Sequence, residues 1–463
     1  MHVHLIGIGG TGLSAIAQVL LEKGYEVSGS DRVESAVTQN LHNLGVRVYI
    51  GHQSQNIAGA DLVLRSSAVT DENVEVQAAF ESRIPVVKRA EFLERLIDGQ
   101  ECIAVAGTHG KTTTTAMLAW VFHGLGLDPS YIIGSSSLNL GNNAHTGKGK
   151  YFVIEADEYD YMFLGLIPKI TIVTNIEHDH PDCFPTYSDV LEAFKSFTSR
   201  TLPSGIFITN GEDPGASQLL AFAKDLGLRC VTYGLGSGRY DIYADDLTQG
   251  DLGGYQFTVS RKKGGHLVDV TLQVPGLHNV RNALACLAVV NSLDLSLSTA
   301  ATAMQEFKGT ARRFELVGEI SGVTIISDYA HHPTEIQATL AAARTRYAER
   351  RIWAVWQPHT FSRTTALLDQ FSKSFEDADR ILITEVFAAR EAPPPGGYST
   401  QSIVESIHGD ALFFPELTHV RSYLGRQLAA GDVVIILSAG DANRLGSWLI
   451  TDLVDKQDQK PDD

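Results

Sequence analysis

Short apolar runs recur along this chain, each followed by a turn and then by a stretch with apolar positions at helical spacing. The first such runs are VHLIGIG, YEVSGSD, VRVYIGH and DLVLRSSA, and the series closes with IPVVKRAEFLERL. β-Branched runs alternating with helical stretches predict a doubly wound α/β unit. After Asp98-Gly99-Gln100 the pattern restarts with CIAVAG and continues through YFVIEAD and ITIVTNI. It then turns antiparallel in character, in YQFTVSRKKGGHLVDVTLQV, before the helix HNVRNALACLAVVNSL. Near Thr310 to Phe314 a third α/β unit begins, with VTIISDYA, RRIWAVWQP, DRILITEVF and DVVIILSAG. The expected division is therefore residues 1–97, 98–311 and 312–463. No fixed-period repeat interrupts it. Pro393 to Gly397 reads as a loop, and the polar tail DKQDQKPDD reads as a frayed end.

At 463 residues the chain is long enough for three domains, each burying its own core. Its 44% hydrophobic and 20% charged content is that of an ordinary globular protein. A formal net charge of −17 argues against a nucleic-acid surface. Any anionic ligand must be held by local donors working against the global field. Cys102, Cys183, Cys230 and Cys286 are far apart and form no CxxC pair, which suggests neither a zinc site nor a disulfide framework. The N-terminus enters a strand at once, leaving no room for a signal peptide, and no apolar run approaches the ~20 residues of a membrane span. The expectation is a cytoplasmic protein without membrane or nucleic-acid partners, monomeric or weakly dimeric.

The densest chemistry lies at CIAVAGTHGKTTTT. A strand leads into Gly107-Thr108-His109-Gly110, and Lys111, Thr112 and Thr113 open a helix. Backbone N–H groups and the helix N-terminus suit phosphate oxygens, Lys111 suits the outer phosphates, and the Thr112 hydroxyl suits Mg²⁺. The general phosphate-loop pattern places a glycine where Val105 stands, and here it comes at Gly107. A second glycine turn, Gly7-Ile8-Gly9-Gly10-Thr11-Gly12, follows the first strand, and Asp31 ends the next one. By spacing alone this is a dinucleotide fingerprint, and its amides can approach a diphosphate.

Further candidates cluster at strand ends. Glu155, Asp157 and Glu158 follow YFVI, where carboxylates suit a hard cation. Glu177, His178, Asp179 and His180 follow ITIVT. Asn279 stands at the start of a helix, where capping explains it, and Arg312-Arg313 stand at the third domain's threshold. Asp328, His331 and His332 follow VTIIS, and His359 and Arg363 follow WAVW. A nicotinamide oxidoreductase built on the first glycine turn leaves the Lys111 loop and these histidines without a role. A silent nucleotide sensor leaves Lys111, Glu155 and His180 unexplained.

The blocks GIGGTGLSAIA, GTHGKTTT, EADEYD, TNIEHDHPD, GLHNVRNALA, ARRFELVG, DYAHHPTEI and QPHTFSR, in this order, resemble the Mur ligases, ATP-dependent amide-forming enzymes of peptidoglycan precursor synthesis. The likeness runs from about residue 3 to about residue 447 and is greatest to the alanine-adding branch. It implies a Rossmann-like N-terminal domain, a central P-loop ATPase-like α/β domain and a C-terminal Rossmann-like lid. It also implies ATP and Mg²⁺, with UDP-N-acetylmuramate and L-alanine as substrates; a sister enzyme adding another amino acid or a recycled peptide is the alternative. On this resemblance the first glycine turn (Gly7, Gly9, Gly10, Thr11, Gly12), with Asp31 and Ser67, holds the UDP-sugar rather than NAD. ATP falls to Gly107, Thr108, His109, Gly110, Lys111, Thr112, Thr113, Asn279 and Arg313, with Arg312 as the alternative to Arg313. The metal falls to Thr112, Glu155 and His180, and catalysis to Lys111, Asp328, His331, His359 and Arg363. Several Mur ligases hold Mg²⁺ with a carbamylated lysine near the position of Lys195, but the alanine-adding branch does not typically rely on it.

Overall fold

The computed structural model describes residues 1–236, 238–250 and 253–458. Three open sheets of five, ten and six strands carry the chain. In the first, every residue of His2–Ile6 is buried, as a strand covered on both faces by helices requires. It pairs in parallel with Glu26–Asp31 and Leu62–Arg65, and Arg47–Ile50 and Val86–Lys88 form the edges. The chain order 3-2-1-4-5 reverses beside this central strand. A crevice therefore opens after Ile6, where the first glycine turn runs into the helix Thr11–Glu22.

In the second sheet Glu101–Ala106 lies between Ile170–Val173 and Tyr151–Glu155, all parallel. The strands Tyr255–Arg261 and His266–Thr271 add an antiparallel wing, as the sequence pattern there implies. The sequence pattern passes over Ile206–Asn210, Arg229–Leu235 and Ile242–Gln249, which extend the parallel core. The first of these is fully buried but only five residues long, and the last ends in exposed polar positions. The helix Lys111–Gly124 packs against Leu277–Ser292 and Leu297–Gln305.

The third sheet runs from Val323–Asp328 through Val433–Leu437, Ile352–Trp356 and Arg380–Ile383 to Ala411–Phe413 in parallel, with Glu315–Ile320 antiparallel at one edge. The helix Arg444–Asp458 takes up the first part of the tail expected to fray, and residues 459–463 lie outside the described residues. No helix among the described residues is long and apolar enough to cross a membrane. Gly107, Glu155, Asn175, Asp328 and Gln357 all stand at carboxyl ends of parallel strands, the edge on which open α/β sheets carry their sites.

Trp356 is fully buried and packs its ring 4.6 Å from Phe371 and 5.3 Å from Phe375. Trp356→Ala should cost ~3–5 kcal/mol through lost burial and a residual cavity. A lowered denaturant midpoint of the C-terminal domain is the expected reading.

Candidate active site

The phosphate loop is pinned to the neighbouring strand end. Thr108 N–H donates to Asn175 O (3.0 Å), His109 N–H donates to Asn175 Oδ1 (2.8 Å), and Thr174 Oγ1 donates to His109 O (2.6 Å). Gly107 has φ +133°, and a Cβ there would stand 2.0 Å from Thr174 Oγ1. That close approach explains a glycine two residues later than the general pattern. Lys111 Nζ bends back onto its own loop, donating to Gly107 O (2.6 Å) and Thr108 O (3.1 Å), and pairs with Glu158 at 2.8 Å. Burial works against the charge on Lys111, but Glu158 and Asp157 outweigh it and raise its pKa. Thr112 Oγ1 donates to Glu155 Oε1 at 3.0 Å, and Gly134 N–H holds the other carboxylate oxygen at 2.6 Å. Burial pushes both Glu155 and Glu158 upward, with Lys111 opposing.

The third domain supplies the facing wall. Arg363 is 2% exposed and places Nε 2.7 Å from Asp179 Oδ1 of the central domain. Its NH1 donates to His359 Nδ1 (3.1 Å) and its NH2 reaches His180 Nδ1 (3.4 Å). His180, at φ +54°, stands 4.0 Å from Glu158. Glu335, the third residue of the helix Pro333–Arg346, accepts the N–H of His331 (3.1 Å) and His332 (3.3 Å). Its carboxylate also reaches His109 Nδ1 (3.2 Å) and Arg313 NH1 (3.5 Å), so one side chain spans the loop, the hinge and the lid. His331 Nδ1 lies 2.9 Å from Tyr329 O. Burial holds His331 well below the usual histidine range, and burial with Arg363 and Arg390 lowers His359 to about 4. Both imidazoles are neutral at neutral pH.

Two cavities, of about 600 and about 710 Å³, meet at Gly110, Arg313 and Glu335. His109, Thr113, Asn279 and Asp328 line the first. Thr108, Lys111, Thr112, Glu155, His180, His331, His359 and Arg363 line the second, together with Thr11 and Gly12. Gly7, Gly9, Gly10, Asp31, Ser67 and Gly107 line neither. Asp31 instead accepts the Gly9 N–H at 2.9 Å, and Ser67 is exposed. At Gly12 an added Cβ would stand 1.6 Å from Arg89 NH1, so the glycine makes room for a guanidinium at the cleft wall. Arg89, Lys111, Arg312, Arg313, Arg363 and Arg390 all line the larger cavity, a local cationic field inside an acidic protein. Asn279 does not cap its helix. Gly276 occupies the cap, and Asn279 Nδ2 donates to Pro275 O (2.7 Å) from inside the first turn.

Glu335, Arg89 and Arg390 carry this geometry without standing among the sequence candidates, whereas Glu158 and Asp179 stood there only as members of their carboxylate clusters. The run His332-Pro333-Thr334-Glu335 does have the spacing of a helix start with a capping glutamate, the one signal that marks Glu335. Arg390 lies in an irregular loop and has no such signal. It stacks 4.0 Å over the Tyr159 ring and pairs with Asp182 at 2.7 Å.

A phosphate loop on one domain, closed over by imidazoles and guanidinium groups from another, defines a nucleotide-handling cleft between domains. The chain is a member of the Mur ligase family. Residues 2–101 match the family's catalytic domain, residues 105–290 its middle domain and residues 312–440 its glutamate ligase domain. It is 42% identical to a UDP-N-acetylmuramate–L-alanine ligase of Nitratidesulfovibrio vulgaris (strain DP4) over 96% of this chain and 97% of the relative. It is 41% identical to one from Geobacter sp. (strain M21), over 97% and 96%. Among solved structures, the UDP-N-acetylmuramate–alanine ligase of Thermotoga maritima superposes with a TM-score of 0.83 at 28% identity, covering 99% of this chain and all of that one. A murein peptide ligase of Psychrobacter arcticus gives 0.74 at 28% identity, over 98% of each. The three-domain α/β architecture implied by the sequence is thus the family's, and its members are ATP-dependent amide-forming ligases.

Asp328 is buried and accepts the N–H of Phe314 (2.8 Å) and Ala330 (2.7 Å), so it fastens the hinge to the strand end. Burial pushes its carboxyl up to about 6, against Arg313. The folded value lies above the ordinary ~3.9, so the native state binds this proton more tightly than the unfolded chain. Its contribution to stability is full below about pH 4 and lost as pH rises through about 6. Asp328→Asn should flatten the unfolding free energy across that window, as read by denaturant titration at a series of pH values.

Proposed function

We propose that this chain joins L-alanine to the lactyl carboxylate of UDP-N-acetylmuramate, with ATP converted to ADP and phosphate. What carries the reading is near-full-length likeness to curated relatives of that activity, together with a phosphate loop and lid meeting at one cleft. The adenine side of ATP fits the smaller cavity beside Asn279, with the phosphates over Gly107 to Thr113. The UDP-sugar fits from the N-terminal glycine turn, through Thr11, Gly12 and Arg89, into the larger one.

A carboxylate does not react with an amine because oxide is a poor leaving group. Transfer of the γ-phosphoryl group gives an acyl phosphate, the amine attacks its carbonyl carbon, and phosphate leaves. Lys111 and Arg313, both lining the cleft, neutralise the transferring group in this reading, since phosphoryl transfer depends mainly on alignment and charge. The oxygen donors of Thr112 and Glu155, 3.0 Å apart, suit Mg²⁺, with His180 beside Glu158 as a further ligand. Such an ion would neutralise phosphate charge.

Hydrogen bonding separates the two histidines. His359 uses its Nδ1 lone pair to accept from Arg363, whereas His331 turns Nδ1 toward the Tyr329 carbonyl and leaves Nε2 free to accept a proton. His331 is therefore the base that takes the proton of the alanine ammonium. Closure of the lid over the acyl phosphate excludes water.

The likeness to a murein peptide ligase supports one alternative, a peptide in place of L-alanine. Purified protein with ATP, Mg²⁺ and UDP-N-acetylmuramate should yield ADP and a new amide with L-alanine, and little with glycine or L-serine. Turnover only with a peptide, or none with any amine, would overturn the assignment. His331→Gln should lower amide formation by about 10²–10⁴-fold while ADP release falls less. The ADP-to-amide ratio, measured by chromatography, then rises above that of His359→Gln.

A further inference from the structure

Behind the phosphate loop, three side chains from separate strand ends converge: His109, Glu177 and His332. One ligand atom from each lies within 4.8 Å of the others. Glu177 Oε2 is 3.6 Å from His109 Nε2 and 3.7 Å from His332 Nδ1, and the two rings stand 4.6 Å apart. His332 is 1% exposed. His109 Nε2 and His332 Nε2 are both buried without a hydrogen-bond partner, a costly arrangement unless a ligand satisfies it.

The surrounding hydrogen bonds orient these groups as ligands are oriented. His109 Nδ1 is held by the Glu335 carboxylate at 3.2 Å, the pairing that fixes the tautomer and orientation of a ligating imidazole. The Thr334 hydroxyl donates to Glu177 Oε2 at 2.7 Å and orients that carboxylate. Two imidazoles and one carboxylate with an open fourth position form a donor set for a borderline divalent ion, distinct in chemistry from the hard oxygen pair Thr112–Glu155. The silent cysteine pattern says nothing here, since no thiolate takes part.

We propose that His109, Glu177 and His332 form a second cation site, selective for Zn²⁺-class transition ions, that bridges the phosphate loop, the central sheet and the C-terminal domain. Ligand distances of about 2.0–2.2 Å require the three side chains to close inward. His109 and Glu177 also line the smaller cavity, so the fourth position faces it and takes water or a phosphate oxygen. An ion there ties the lid to the loop and slows opening. The inference stands on this cluster alone and does not depend on which amine the enzyme uses.

Co²⁺ is the probe, added to the full chain with Mg²⁺ in excess. The expected result is one equivalent bound with visible ligand-field bands of a low-coordinate nitrogen–oxygen site, and bleaching of the bands by Zn²⁺. His332→Asn keeps a helix-capping oxygen at that position while removing the imidazole. It should weaken Co²⁺ binding by about tenfold or more, as should Glu177→Gln, with circular dichroism unchanged. No bands in the wild-type protein, or bands that persist unaltered in both variants, would show that the cluster holds no cation.

Discussion

The arrangement of this cleft depends on a buried ion pair between two domains. Arg363 and Asp179 are almost wholly withdrawn from water, with side chains 3% and 7% exposed, and meet at 2.7 Å. Removing one partner of such a pair costs ~3–5 kcal/mol, because the other is left charged and dry. The guanidinium is also shared. It reaches His359 on its own domain and His180 on the other, so one planar fork sets the distance between lid and phosphate loop. Glu335 does the complementary work from the carboxylate side, spanning His109, Arg313 and the His331 backbone. Cations and carboxylates alternate through the interface, which allows an anion-handling site to sit inside a chain of net charge −17.

The same low-dielectric setting assigns different states to like groups. His331 and His359 lose their protons to burial and neighbouring guanidinium groups, whereas His109 keeps its own because two carboxylates face it. Asp328 is raised while Glu335 is held well below its usual range by His331 and His109 against burial. Environment, rather than residue type, decides which group accepts a proton and which supplies fixed charge.

Much of this was readable before any fold was known. The runs CIAVAG, VTIIS and WAVW are short, continuous and bounded by turns, so the strands and the chemistry at their ends were both visible. Sequence could not reveal pairings across domains. Asp179 sits between two histidines in EHDHPD and reads as one more loop carboxylate until Arg363 arrives from 184 residues away. Arg89 fills the space left by Gly12 from a different strand–helix turn, and Arg390 meets Tyr159 from an irregular loop. The first glycine turn was legible as a turn, but its Asp31 turns inward to brace Gly9. Local pattern also misled at Asn279, where a glycine with positive φ had already ended the need for a side-chain cap.

Lys111 spends its charge internally, on two loop carbonyls and on Glu158. A stray phosphate approaching the loop therefore meets a cation already compensated, and capturing it would strand Glu158 without a counter-charge. The ammonium's resting partners thus set the electrostatic cost of any anion the loop takes up.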